Sequence, residues 1–145
     1  MIIWIGRALA LAVHDRQLAE HGGGSGVRDE GMLDSALARP QQLFNYGDPP
    51  PDLAQLAASL AFGLARNHAF VDGNKRTAAV LCEVFLMLNG VQLTASDLEL
   101  YPQYIGLAEG SVGESAFADW LREQLDVPSR GMVQERPARY GRQSG

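Results

Sequence analysis

Between residues 67 and 79 the chain reads NHAFVDGNKRTAA, placing a histidine, an acid, a glycine, an asparagine and two cations within nine positions before turning apolar. His68 is the group here that accepts a proton near neutral pH. Asp72 is a carboxylate of the kind that holds Mg²⁺ together with phosphate oxygens. Gly73 lets a ligand come close to the backbone, Asn74 can donate hydrogen bonds, and Lys75 and Arg76 bring charge for a polyphosphate. Each residue alone has a simpler structural role, as a loop histidine, a helix cap or a surface cation. Together they read as a base, a metal ligand and a phosphate cradle.

Such a cradle needs a helix behind it, because the first turn of a helix offers unpaired N–H groups and the positive end of the dipole. Lys75 and Arg76 oppose that dipole, and a bound anion would resolve the conflict. Residues 74–89 supply the helix: Ala78 to Cys82 and Val84 to Leu88 are apolar around the whole circumference, which predicts a buried central helix stopped by Asn89-Gly90. Before it, Leu53, Leu56, Ala57, Leu60, Ala61 and Leu64 mark one face of an amphipathic helix capped by Asp52. Further helices are predicted over residues 2–20, over 32–39 with Pro40 as the stop, over 97–107 behind the Ser96-x-x-Glu99 box, and over 114–125. Only residues 91–94 suggest a strand. The glycine-rich stretch 21–31, HGGGSGVRDEG, lacks the ending of a P-loop and reads as a flexible turn leading to an Asp29 cap. His14 and His21 read as structural. Phe44 and Tyr46 are core-edge packing or an exposed docking edge.

The 145 residues suffice for one domain, expected over 1–127 and followed by a disordered basic tail, 128–145. The tail's four arginines and one glutamate give it +3 and leave the body at −8. An acidic body argues against direct DNA binding; contact of the tail with RNA or an acidic partner remains open. One cysteine, Cys82, excludes an internal disulfide framework and reads as a buried thiol. No segment reads as a membrane span, and a cytoplasmic protein is expected.

HAFVDGNKR resembles the signature of the Fic/Doc family, closest to its death-on-curing (Doc) branch, His-x-Phe-x-Asp/Asn-Ala/Gly-Asn-Lys-Arg, at His68, Phe70, Asp72, Gly73, Asn74, Lys75 and Arg76. The stretch 22–41 is similar to that branch's first loop and second helix, and the resemblance covers roughly residues 13–125. It implies an all-α, compact single-domain helical bundle around a buried central helix. It also implies transfer of part of ATP to a protein hydroxyl. His68 would be the general base, Phe70 would anchor the loop, Asp72 would bind Mg²⁺, and Gly73, Asn74, Lys75 and Arg76 would hold phosphates, with Lys75 and Arg76 assisting catalysis.

The AMP-transferring Fic branch carries glycine where this chain has Lys75. A lysine there fills space and adds charge, so the Doc-like outcome is expected: phosphorylation of a protein, with elongation factor Tu as target and translation arrested. Gly73 and Ala69 keep AMP transfer as the alternative, and a non-catalytic phosphate- or nucleotide-binding module is a third reading, one with no use for His68 and Asp72 together. The self-restraining helix of many Fic enzymes carries Ser/Thr-x-x-x-Glu-Gly/Asn. Here Gly26 and Ile105 stand four residues before the glutamates of the two Glu-Gly pairs. Restraint is therefore expected from a small, partly disordered antitoxin in trans.

Overall fold

The Asp52 carboxylate accepts from the Gln55 N–H at 2.9 Å while the Gln55 side chain accepts from the Asp52 N–H at 2.8 Å. From this reciprocal cap helix α3 (Leu53–Asn67) begins where the sequence places it. The computed structural model describes residues 1–126, so the expected tail over 128–145 lies outside the described residues. Against α3 pack α2 (Glu30–Tyr46), α4 (Asn74–Leu88), α5 (Asp97–Glu109) and α6 (Glu114–Glu123), and α1 (Arg7–His21) packs on α4. Two short strands, β1 (Gln92–Leu93) and β2 (Leu125–Asp126), pair antiparallel, Gln92 opposite Asp126. The architecture is the all-α bundle expected.

Three boundaries and one role differ from the reading of the sequence. α1 starts at Arg7 rather than residue 2, because the residues before it are held elsewhere: Ile5 is buried, and the Asn89 side chain pairs with both the N–H and the C=O of Ile3. α2 passes through Pro40 instead of ending there. Leu33, Ala36, Leu37 and Pro40 are all buried along one helical face. Burying two leucines contributes about 1.5–3 kcal/mol each, enough to offset the roughly 3 kcal/mol that an interior proline costs. Residues 124–126 leave α6 to form the turn and strand that meet β1.

The most enclosed helix is α3, not α4. Ten of its fifteen residues are buried, and it packs against α2, α4, α5 and α6. α4 buries Thr77, Ala78, Leu81, Cys82, Phe85 and Leu86 but exposes Met87 and Leu88. α3 fits four neighbours because its buried positions other than leucine are alanine, serine and glycine, small enough for close approach yet weak in a hydrophobicity pattern. Among the described residues no helix is long and apolar enough to cross a membrane.

Candidate active site

The loop between α3 and α4 carries the candidate residues, and its geometry is fixed from inside. Phe70 is buried at 1 % exposure, its ring stacked on His14 at 3.8 Å and 9°. Asn74 then clamps it: Oδ1 accepts from the Phe70 N–H and Nδ2 donates to the Phe70 carbonyl, both at 3.0 Å. The Asn74 amide therefore holds the loop; what it presents outward is backbone. His14, buried in α1, donates from Nε2 to the Asp72 carbonyl at 2.8 Å. That bond fixes the proton on Nε2.

Gly73 follows as the N-cap of α4 with φ 78°, the left-handed conformation that glycine adopts without steric penalty. It has no side chain to cap the helix, and the first helical bond runs from the Thr77 N–H to the Gly73 carbonyl at 3.0 Å. The N–H groups of Asn74, Lys75 and Arg76 are thus left without helical acceptors. Lys75 is exposed and Arg76 half-buried, and among the described residues neither makes an ion pair with an acid. The arrangement is a positive helix end with its donors free.

At the other side of the loop, His68 is exposed and left-handed, φ 52° and ψ 47°, closing α3 as its C-cap. Asp72 is also exposed; its Oδ1 accepts from the Gly73 N–H at 2.8 Å and its Oδ2 lies 3.4 Å from the Gly24 nitrogen. Among the described residues no three metal-ligating side chains gather in one place. A lone exposed carboxylate beside a phosphate cradle suits Mg²⁺, which takes one or two carboxylates and completes its shell with water and substrate phosphates. Asp72 fits that requirement.

The glycine-rich stretch does more than turn. It ends at Asp29, which caps α2 by accepting from the Met32 N–H at 3.0 Å, as expected. Before that it lies along the candidate loop: Val27 bridges Phe70, and the Val71 N–H donates to the Gly26 carbonyl at 3.1 Å. A Cβ on Gly23 would stand 2.8 Å from Asp72 Oδ2, so a larger residue there would push into the carboxylate. The glycines let one strip of backbone approach another.

Arg76 also lines a groove of about 600 Å³ between α1, α4 and α5, with Gln17, His21, Glu83, Asp97 and Tyr101. His68 and Asp72 lie outside it. Burial, and then the charge of Asp97, hold the Glu83 carboxyl above its ordinary value. Cys82 is buried, and desolvation pushes its thiol up to about 12, as befits a structural thiol. Tyr46 is largely exposed and Phe44 partly so. Two neighbours hold this loop: His14, read as structural, and Arg28, which the sequence reading did not single out. His14 had a signal, a polar residue among Ala10 and Gln17 on the inward face of α1, whereas Arg28, whose guanidinium reaches the backbone of Asn67 and His68, had none.

The Fic/DOC family model matches residues 4–86. The chain is similar to "Toxin Doc" of Mycolicibacterium smegmatis, with 55% identity over 74 residues, 51% of this chain and 57% of that protein. It is also similar to "Protein kinase doc" of Escherichia phage P1, with 37% identity over 112 residues, 77% of this chain and 87% of that protein. The match to the first relative spans little more than half of its length.

Proposed function

Because the chain belongs to the Fic/DOC family, we propose that it is a Doc-like toxin that transfers the γ-phosphate of ATP to a Ser or Thr hydroxyl of another protein. The observation that carries this reading is the N-terminus of α4, where a left-handed glycine leaves the end without a side-chain cap, beside Lys75 and Arg76, which have no acid partner among the described residues. A chain of phosphates would occupy those donors.

In the proposed reaction the acceptor oxygen attacks the γ-phosphorus and its proton passes to a ring nitrogen of His68. The bond from that phosphorus to the bridging oxygen breaks, and ADP leaves with the electron pair. Magnesium, when bound at Asp72, would neutralise charge on the phosphate oxygens. The Asn74, Lys75 and Arg76 backbone and the two cations would orient the triphosphate. Base catalysis of this kind contributes about 10²–10⁴-fold, so most of the acceleration falls to positioning and electrostatics. One relative's name supports a toxin and the other's a kinase with a protein as substrate; restraint by an antitoxin and elongation factor Tu as the acceptor are part of the proposal.

The test incubates the protein and a bacterial lysate with Mg²⁺ and ATP labelled at the γ- or the α-phosphorus, beside a His68→Ala control. His68-dependent γ-label on a protein the size of elongation factor Tu is the expected result, with His68→Ala folded and inactive. Label from the α-position alone would assign AMP transfer instead. No His68-dependent label from either would leave a phosphate-binding module. Co-expression with an adjacently encoded antitoxin that fails to relieve growth arrest would count against restraint in trans.

A further inference from the structure

The base proposed above sits in a conformation that its own residue type does not favour. His68 is the sole non-glycine with positive φ among the described residues, and it occupies the C-cap position that glycine ordinarily takes. Something outside α3 must hold it there. Arg28 meets three successive carbonyls at this point: its Nε donates to His68 O at 2.7 Å, its Nη2 to Asn67 O at 3.3 Å, and its backbone N–H to Ala69 O at 2.7 Å. These lie at the negative end of the α3 dipole, where a cation is favoured and the last carbonyls lack helical donors. Arg28 is exposed, and among the described residues it forms no ion pair, so neither burial nor an acid partner accounts for its placement.

We infer that Arg28 is a positioning residue that sets the attitude of the His68 imidazole through the backbone of residues 67–69. The inference rests on the reading of His68 as general base. A planar fork spans two adjacent carbonyls where a single-point ammonium reaches one, so lysine is a partial substitute. The phosphate cradle lies beyond Phe70, held by Asn74 and His14, and does not depend on Arg28.

The test compares wild type, Arg28→Met and Arg28→Lys by the initial rate of label transfer from ATP to the lysate acceptor, at saturating and limiting ATP. It adds the Tm and the His68 Cα chemical shift, which reports left-handed backbone. The expected result for Arg28→Met is a fall of about 10–100-fold in the saturated rate, since misplacing a reacting group by about 1 Å costs up to about 10²-fold. The ATP concentration for half-maximal rate should stay within about twofold and Tm near wild type, while the His68 shift moves; Arg28→Lys should recover part of the rate. A rate unchanged in Arg28→Met, or one that falls only together with ATP affinity and Tm, overturns the inference. Should wild type show no His68-dependent transfer, the proposed function has failed, and an unmoved His68 shift in Arg28→Met then overturns the positioning role on its own.

Discussion

The two ends of α4 use the same device for opposite purposes. At each end an asparagine amide brackets the N–H and C=O of one residue, Asn74 around Phe70 and Asn89 around Ile3. At the Asn89 end the helix is closed: the Asn89 and Val91 N–H groups and the Asn89 amide satisfy the Phe85 and Leu86 carbonyls. At the Asn74 end, Gly73 leaves the first-turn donors free, and Lys75 and Arg76 pair with no acid among the described residues. A helix end whose carbonyls find partners fastens the fold, and one whose donors are left free is available to a ligand.

The sharpest way to break this comparison is to remove the two amides in turn. Both Asn74→Ala and Asn89→Ala strand a backbone donor and acceptor and should destabilise by about 1–3 kcal/mol. Only Asn74→Ala should also lower phosphate transfer, by about 10²-fold per folded molecule, because the loop carrying His68 and Asp72 loses its clamp. Equal activity in the two variants would show that the ends do not differ in role.

Gly73→Ala probes the open end alone. The added Cβ meets only ordinary contacts, the nearest being His14 Nε2 at 3.7 Å, so the cost is conformational, about 1–2 kcal/mol for a left-handed alanine. Urea denaturation should show that loss, and no loss would mean that the cap relaxes to negative φ. One turn further in, Thr77 is fully buried and its hydroxyl has no hydrogen-bond partner among the described residues. Thr77→Val should raise stability by about 1 kcal/mol with the fold unchanged; a drop in phosphate transfer at equal stability would instead give the hydroxyl a role in the cradle.

The smallest effect lies midway along the helix. The folded-state pKa of Glu83 is raised from 4.5 by burial first and by Asp97 second. As pH climbs from that value through the raised one, the unfolded chain gives up its proton while the folded chain keeps it, so stability falls across this window and stays lower above it. Glu83→Gln should therefore raise Tm at neutral pH, with the gain vanishing near about pH 4. A gain that is the same at both pH values would trace to packing rather than to charge.

Much of this was legible where local chemistry decides. Asp29 and Asp52 cap helices as their positions require, and the Glu99 carboxylate accepts from the Ser96 N–H at 2.9 Å at the start of α5. The place of the candidate loop, between α3 and α4, was legible too, because residue type and spacing there are dense. What escaped was set by distant partners. Pro40 stays helical where α2 packs on α3, Ile3 is held out of α1 by Asn89, and the small residues of α3 conceal its central place. At the site, the sequence showed Asn74 as a donor but not that Phe70 uses both ends of its amide.

The Ile3 bracket orders events during synthesis. Its partner stands 86 residues further along the chain. The clamp around Phe70 needs only Asn74, four residues on, so it can close as soon as that turn emerges. Ile3 goes without its bracket until Asn89 has been made, whereas the Phe70 clamp waits on no residue beyond its own turn.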